Sequence, residues 1–287
     1  MRAATAGAFA LALVASATPA ASQTLDLASG NQDTPIVVEA DNGIEWQQDN
    51  EVLIARGNAH ATRGGVTVYA DVLRAYYDRP QNGASHLKRL DATGSKGVKI
   101  VSASETMDGD AAVYDLDRAI LVVSGKKVTY LSGQDVITSD QQMEYYEKDQ
   151  KAVARGQAMA THEGKTLTAR QIEAYFHKVG NKNEVREVRA FDDVVIVTDT
   201  DTVRADRAIY NVATGLATMV GHVKITRGQN QLDGDQAEIN MNSGVSRLLT
   251  APGTSSSGGR VRGLIQPQQS QSGSAPAKKS VGKSQSK

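Results

Sequence analysis

The chain of 287 residues contains no cysteine, which excludes disulfide bonds, thiolate metal sites and a cysteine nucleophile. Aromatic residues are few: one tryptophan, nine tyrosines and three phenylalanines. A stacking platform for single-stranded nucleic acid is therefore not expected, and nucleic acid is not a predicted partner. Beyond residue 22, no stretch approaches the roughly twenty apolar residues of a membrane-spanning helix. Helical periodicity is also missing there, which leaves a β protein as the expectation.

Signatures of catalysis are missing as well. No H-x-x-x-H or H-E-x-x-H spacing occurs among the five histidines, which are His60, His86, His162, His177 and His222. The sequence has no G-x-S-x-G elbow, no Walker loop and no G-x-G-x-x-G after a strand. We therefore expect no enzyme activity, no catalytic residue, no metal site and no cofactor. A carboxylate pair for glycoside cleavage stays open, because the chain has aspartate throughout and nothing singles out one pair.

An internal repeat organises the chain. Residues 55–77 match residues 154–176 at 11 of 23 positions without a gap. A finer repeat of about thirty residues is marked by a glycine, or once by an aspartate, at Gly57, Gly94, Gly125, Gly156, Asp193 and Gly221. A small residue and then a polar one follow each marker, at Ala70-Asp71, Gly109-Asp110, Ser139-Asp140, Ala169-Arg170, Ala205-Asp206 and Gly234-Asp235. The sequence thus predicts six units, and it indicates a tandem duplication of three units, over about 35–150 and 151–250.

Within each unit the apolar residues alternate with period two, which is typical of strands with one buried face. The alternation changes phase at the small-polar pair. In the first unit the apolar residues before this change are Val66, Val68 and Ala70, and those after it are Leu73, Ala75 and Tyr77. Such a switch keeps one face apolar if the strand bends at a bulge. We therefore interpret the aspartates as corner residues. The predicted fold is all-β, an open twisted antiparallel sheet of six two-strand repeats, as a jelly roll or open barrel.

The two ends of the chain differ from this body. Residues 1–22, with Arg2 followed by an uncharged alanine-rich run, have the pattern of a cleaved signal peptide, so we expect export to a bacterial periplasm. Residues 23–34 are expected to be a flexible segment. Residues 251–287 contain six basic and no acidic residues and few apolar ones, which predicts a disordered basic tail. The body between residues 23 and 250 then carries a net charge of −7, from 25 basic and 32 acidic residues.

The start of the repeat region resembles a known family. PIVVEAD at 35–41, a short apolar hairpin and ARGNAHATRGGVTVYADVL at 55–73 are similar to the signature of the LptA/OstA-like family. The resemblance implies a periplasmic β-jelly-roll that carries lipopolysaccharide from the inner to the outer membrane and shields the acyl chains of its lipid A. It also implies an LptC-like and an LptD-like protein as partners. No step of such transport requires an enzyme.

The candidate site is the apolar face of the sheet. We expect a lipid-binding groove formed by Val38, Ile44, Trp46, Leu53, Val66, Val68, Leu73, Val98, Ile100, Val195, Val197, Val223 and Ile225. Trp46 shares the parity of Ile44 and is expected near one end of that groove. The alternative is a structural β-solenoid or scaffold of the cell envelope, whose core is filled and binds no lipid. A third alternative, a polysaccharide-binding or polysaccharide-cleaving β fold, needs an aromatic strip or a carboxylate pair.

An open sheet has two edge strands whose unpaired backbone groups can pair with another chain. We expect these edges near Pro35–Ala40 and near Gln236–Met241, with Ile36, Val37, Val38, Glu238 and Ile239 as partner-contacting residues. Proline is compatible with an edge strand. The prediction is head-to-tail association. The order of partners, an LptC-like protein at the first edge and an LptD-like protein or another copy at the second, comes from the family resemblance alone.

Overall fold

The computed structural model describes residues 35–79, 85–179, 182–240, 242–243, 245–250 and 261–265. The expected signal peptide, the segment 23–34 and most of the expected tail lie outside these residues. Every regular element of the described residues is a β-strand, and no helix there has the length and apolarity to cross a membrane. The strands are β1 (Val37–Glu39), β2 (Ile44–Gln47), β3 (Val52–Arg63), β4 (Val66–Asp78), β5 (His86–Val101), β6 (Glu105–Asp115), β7 (Ile120–Ser124), β8 (Val128–Ser132), β9 (Asp135–Ser139), β10 (Gln142–Tyr146), β11 (Lys151–His162), β12 (Lys165–Val179), β13 (Lys182–Val197), β14 (Asp201–Asn211), β15 (Leu216–Arg227), β16 (Asn230–Asn240), β17 (Val245–Leu249) and β18 (Arg262–Leu264).

All eighteen strands belong to one antiparallel sheet. Twelve strand positions correspond to the six predicted units, and two of these are split at the corner, into β7/β8 and β9/β10. Two further split strands, β1/β2 and β17/β18, flank the units. The prediction of an all-β antiparallel jelly roll is confirmed. The number of strands exceeds the twelve of the units because two further strand positions flank the units and because the corner splits four of the fourteen positions.

The corners lie where the unit markers predict them. The pairing of β3 with β4 shifts register between Arg56 and Ala59, and equivalent shifts occur between later strands. At several corners the aspartate of one strand contacts the residue after the marker on the next strand. Asp140 Oδ1 accepts a hydrogen bond from the backbone N–H of Gln157 at 2.8 Å. The same contact joins Asp110 to the N–H of Lys126 at 2.9 Å.

The aspartate explains why the marker is a glycine. Gly156 has a φ of +99°, and a Cβ at this position would lie 1.9 Å from Asp140 Oδ1. One unit reverses the charges: Asp193, with a φ of +54°, replaces the glycine, and Arg170 replaces the aspartate. Arg170 Nε donates to Asp193 Oδ2 at 2.7 Å, and this pair raises the pKa of Arg170. The two departures from the repeat therefore compensate each other.

The corners fold the sheet into two facing layers. Layer one contains β2, β7, β10 and β17, and layer two contains β1, β8, β9 and β18, while the long strands contribute one half to each layer. The buried side chains of both layers form one apolar cluster. Because residues directly opposite each other in an antiparallel sheet share a face, each inner row can be followed from strand to strand.

Two inner rows run the full length of the sheet. Row one, in layer one, consists of Ile44, Ala55, Leu73, Ala92, Ala112, Val123, Met143, Ala154, Ile172, Ala190, Ala208, Met219, Ala237 and Leu248. Row two, in layer two, consists of Val38, Ala61, Val68, Ile100, Met107, Tyr130, Ile137, Ala160, Leu167, Ile196, Val203, Ile225, Leu232 and Gly263. Neither row contains a charged side chain. These two rows of the inner face are therefore uncharged from the first strand to the last.

Candidate functional site

An apolar cleft lies between the two layers at the N-terminal end of the sheet, with a cavity volume of about 150 Å³. Its lining is mainly apolar, and its polar members are Thr62, Arg63, Arg74 and Asp91. Layer one contributes Leu53, Leu73, Ala75, Leu87, Leu90, Ala92, Ala112, Tyr114 and Leu121, and layer two contributes Ile36, Val38, Ala61, Val68 and Ile100. A dry cavity of this size and lining holds an apolar guest of roughly the size of benzene.

The cleft lies in the first copy of the duplication, and large inner residues of the second copy are fully buried. Val194, Val203, Met219 and Val223 are each fully buried there, with exposed fractions of 1% or less. The two copies differ because the cleft lies next to the edge of the sheet, where the last strand position is split into β1 and β2. Only seven residues of β1 and β2 cover β3, whereas β11 is covered by the ten residues of β9 and β10.

The expected groove residues fall into four positions. The cleft is lined by Val38, Leu53, Val68, Leu73 and Ile100. The buried core cluster contains Val66, Val98, Val223 and Ile225, together with Ile100. Ile44 and Trp46 have inner-face register on the edge strand β2 but are exposed there. The structure does not bring the remaining two, Val195 and Val197, to this face.

The placement of Val195 and Val197 is a correction to the expected groove. They pair with Arg204 and Thr202, on the outer face of β14, whereas Val194 and Ile196 are the buried residues. The four residues form an uninterrupted apolar run, so alternation does not reveal which pair points inward. The bulge between Phe191 and Val194 decides the parity, because it inserts two residues with positive φ before the run.

Several cleft residues are absent from the sequence expectation, among them Leu87, Leu90, Tyr114 and Leu121. Leu90, Ala92 and the marker Gly94 stand at alternate positions, so β5 does contain a period-two pattern. The pattern is hard to recognise because a turn-rich segment precedes it before His86. Leu87 had no such signal, because its pairing with Tyr77 follows an irregularity between Tyr76 and Tyr77.

Trp46 lies opposite the cleft residue Leu53 in the sheet and is 61% exposed. Its indole Nε1 donates to the hydroxyl of Tyr77 at 2.5 Å, and the two rings meet edge to face with centroids 6.4 Å apart. Tyr145 and Phe176, at the same positions of the second copy, make a similar edge-to-face pair at 6.3 Å. The tryptophan therefore occupies an ordinary repeat position, and it is exposed because no further strand among the described residues covers β2.

The edges of the sheet agree with the expectation at one end only. Ile36, Val37 and Val38 lie at or in β1, which is the first edge. Glu238 and Ile239 do not lie at an edge, because β16 pairs on its second side with β17, where Glu238 is opposite Arg247, and with β18. The second edge is thus formed by β17 and β18. Strand β18 lies inside the segment that was expected to be a disordered tail.

Polar side chains border the inner face of layer two at the hairpin ends. Arg227 donates two hydrogen bonds of 2.7 Å to the buried carboxylate of Asp201. Burial works against the charged form of Asp201, but the bonds from Arg227 and Thr200 outweigh it and lower the pKa. Burial and the neighbouring Glu105 raise the pKa of Tyr130, which stays protonated. This rim therefore consists of paired or neutral groups.

The histidines are dispersed rather than clustered. Four of them contact a carboxylate, in the pairs His60–Glu39 (2.6 Å), His86–Asp117 (2.8 Å), His162–Asp135 (2.5 Å) and His222–Asp206 (2.8 Å). Over the described residues, no three side chains of the metal-binding types come together. The apolar cleft is therefore the feature of the inner face that can hold a ligand.

Comparison with known proteins agrees with the duplicated sheet. The model of the family LptA/(LptD N-terminal domain) LPS transport protein matches twice, over residues 37–151 and 136–245. No curated protein sequence is similar enough to match the chain. Among solved structures, the periplasmic LptA homologue LptH from Pseudomonas aeruginosa matches with 12% identity over 83% of this chain and 99% of that chain, at a TM-score of 0.21. A TM-score this low does not support a shared shape, so the family is assigned from the match to the sequence model. Because its two matches span most of the chain, the protein belongs to the LptA/(LptD N-terminal domain) family of lipopolysaccharide transport proteins.

Proposed function

We propose that this protein binds lipopolysaccharide in the periplasm and shields the acyl chains of its lipid A on the way from the inner to the outer membrane. The observation that carries the proposal is the mainly apolar cleft between the layers, from which two uncharged rows run along the sheet. The membership in a family of lipopolysaccharide transport proteins supports it.

The hydrophobic effect explains why such a carrier is needed and why it needs no chemistry. Burial of one CH₂ group is worth about 0.8 kcal/mol, so an acyl chain of about a dozen carbons costs on the order of 10 kcal/mol to expose to water. An apolar face that stays in contact with the chains removes most of this cost. The protein therefore acts as a carrier or bridge, and the proposal assigns it no enzymatic step.

The size of the cleft adds a requirement. A cavity of about 150 Å³ is far too small for several acyl chains. The two layers must therefore move apart when the lipid enters, and the first copy is where this costs least, because part of the space is already open. The corners allow such a motion, since the layers are joined there and meet elsewhere through side chains.

The partners follow from the edges. We propose an LptC-like protein at the β1/β2 edge and an LptD-like protein or another copy of this chain at the β17/β18 edge. Each contact adds strands to the sheet, so that the apolar faces of the two proteins join. Which partner binds at which edge is inferred from the family alone.

A photo-crosslinking residue placed in the cleft tests the proposal. With the crosslinker at Leu53, we expect capture of purified lipopolysaccharide, and we expect none at Val197, which is exposed on the outer face of the same sheet. The fluorescence of Trp46, the only tryptophan, should change during the same titration because Trp46 lies opposite Leu53, which lines the cleft.

Equal capture at Leu53 and Val197 would indicate non-specific adsorption. No capture and no fluorescence change, in a protein with an intact β spectrum, would instead support the scaffold alternative. That alternative has one observation in its favour, which is the packed interior of the second copy.

A further inference from the structure

The hairpin that joins β12 to β13 extends beyond the strands on either side of it. Its last residues with an outside neighbour are Tyr175, which is opposite the first residue of β11, and Glu187, which is opposite the last residue of β14. Beyond them lie Phe176–Val179 and Lys182–Val185, which we call the hairpin end. Among the described residues these two stretches pair only with each other. The hairpin end can therefore move without disturbing the strand pairs on either side.

A β-bulge lies at the base of the hairpin end. The pairing shifts between Tyr175 and Phe176, so that Arg186 is an extra residue on β13. Such a bulge bends the strand that contains it. The hairpin between β4 and β5 has the same irregularity, between Tyr76 and Tyr77. Each copy of the duplication therefore has one long hairpin with a bend at its base.

The hairpin end contacts the inner face of layer one. The ring of Phe176 meets that of Tyr145 edge to face at 6.3 Å, and Asn183 Nδ2 donates to the Tyr145 hydroxyl at 3.5 Å. Tyr145 belongs to the inner face, because it is opposite the cleft residue Leu121 and packs against the buried core. Strands β10 and β13 are three positions apart in the sheet. The contact of Asn183 with Tyr145 thus places the hairpin end over the strands between them.

The two copies differ at the asparagine. Asn183 directly precedes the partner of His177, and Ser85 directly precedes the partner of Asp78, 99 positions earlier. Asn183 is only 8% exposed, whereas Ser85 is exposed. The exposed serine is found in the copy that contains the cleft, and the buried asparagine in the copy whose large inner residues are fully buried.

We propose that the hairpin end is a gate over the inner face of the second copy. Phe176 and Asn183 hold it closed against Tyr145, and the lipid displaces it when it leaves the first copy. The proposal rests on the proposed function, because lipopolysaccharide is the ligand that the gate admits. Val185, which is opposite Phe176, corresponds to the cleft residue Leu87 and is 36% exposed. The gate therefore offers an apolar side chain to an acyl chain that reaches it.

The hairpin end has the features of a segment that opens locally. No strand of the described residues lies beside it, and the side chains of His177, Lys178 and Val179 are exposed. Segments of this kind open while the rest of the fold stays intact. Loss of one hydrogen bond shifts such an equilibrium by on the order of fivefold. Replacement of Asn183 should therefore open the gate more often and leave the sheet unchanged.

Thiol labelling in the absence of lipid tests the gate alone. The chain has no cysteine, so Ala174→Cys places a single thiol in the inner row of Tyr145, and Ala75→Cys places one at the equivalent cleft position of the first copy. Asn183→Ser, which installs the residue of the first copy, should raise the rate at which a maleimide labels Ala174→Cys on the order of fivefold and leave Ala75→Cys unchanged. Glu184→Ser, at the exposed next residue, is the matched control and should change neither rate.

Photo-crosslinking with purified lipopolysaccharide tests what the gate admits. A photo-crosslinking residue at Ala75 should capture lipid in every variant, because the first copy is open. Capture at Ala174 should increase in Asn183→Ser. A bis-maleimide that joins Tyr145→Cys to Asn183→Cys holds the gate closed and should reduce capture at Ala174 to background.

The control for this lock joins Thr166→Cys to Val197→Cys, at two positions opposite each other at the other end of the same two strands, and it should leave capture at Ala174 unchanged. Equal labelling of Ala174→Cys with and without Asn183→Ser, or undiminished capture with the gate locked, would overturn the proposal. Absence of capture at Ala75 would instead refute lipid binding. The labelling rates measured without lipid would still decide whether the gate exists.

Discussion

The duplication offers a matched comparison of one ion pair in two environments. Arg155 Nε and Nη2 donate to the carboxylate of Glu144 at 2.7 and 3.1 Å, and the carboxylate also accepts from Tyr146 and Gln142. The Glu144 side chain is 6% exposed and that of Arg155 is 37% exposed. The same pair 99 residues earlier, Glu45 and Arg56, lies on β2 and β3 at 3.5 Å, and both side chains are about half exposed. The difference arises because β7 covers β10, whereas no other strand in the described part of the chain covers β2.

We predict that Arg155→Met lowers the free energy of unfolding by about 2 kcal/mol, between the 3–5 of a fully buried pair and the 0–1 of a surface pair. The loss is large because it leaves the Glu144 carboxylate buried without its main partner. Arg56→Met should cost no more than about 0.5 kcal/mol. For a body of this size the melting temperature should fall by about 4–8 °C in the first variant and by about 1–2 °C in the second.

The assay is thermal and urea unfolding followed by circular dichroism, at a concentration at which sedimentation shows monomers. The double variant Glu144→Gln/Arg155→Met should be more stable than Arg155→Met alone, because no charge is then left buried. If Arg155→Met and Arg56→Met cost the same, or if the double variant is the least stable, the argument from burial is refuted.

The pH dependence of the same pair has a defined sign. Burial raises the pKa of Glu144, but the hydrogen bonds from Arg155, Tyr146 and Gln142 outweigh it, so the pKa is lowered overall. A carboxylate with a lowered folded-state pKa stabilises the fold above its unfolded pKa of about 4.3 and loses this contribution as the pH falls through its folded value. The stability difference between the original protein and Glu144→Gln should therefore be largest at neutral pH and shrink in acid. A difference that is constant between pH 7 and pH 3 would contradict this assignment.

Two further predictions concern the corners. Gly156→Ala should cost more than Gly164→Ala in urea unfolding, by about 1–3 kcal/mol, because both glycines have positive φ but only Gly156 has Asp140 against the added Cβ; equal costs would show that φ alone is responsible. Arg170→Asp should destabilise the protein by placing two carboxylates together, and Arg170→Asp combined with Asp193→Gly should restore stability by re-creating the common corner; a double variant less stable than the single one would contradict the compensation.

Alternation in the sequence was sufficient to predict most of the inner face. Val66, Val98 and Ile100 stand in period-two patterns next to a recognisable corner, and the structure buries all three. Alternation carries no information within an unbroken apolar run, and for this reason Val195 and Val197 were assigned to the wrong face. The decisive feature there is the length of the bulge, which is set by the backbone conformation of Asp192 and Asp193 rather than by hydrophobicity.

The second edge was not predictable by the same means. Strand β18 has three residues, one of them Gly263, and lies in a segment whose composition is that of a disordered tail. Three residues cannot establish a periodicity. The strand forms because β16, which pairs with β15 on one side, offers its backbone groups to β18 on the other side. This partner is present only in the folded sheet. The cleft is unpredictable for a related reason, because its volume depends on how closely the two layers approach.

The two inner rows explain how a repeat of about thirty residues can form a long apolar face. Neighbouring strands in a sheet lie about 4.8 Å apart, so the fourteen strand positions of row one extend for roughly 60 Å. Under the proposed function, an acyl chain that moves by one strand would exchange one set of apolar contacts for an equivalent set, and it would meet no charged side chain in either row. Where another protein pairs with the β17/β18 edge as proposed, its apolar face would continue row one beyond Leu248. The length of the apolar face would then be set by the number of proteins joined.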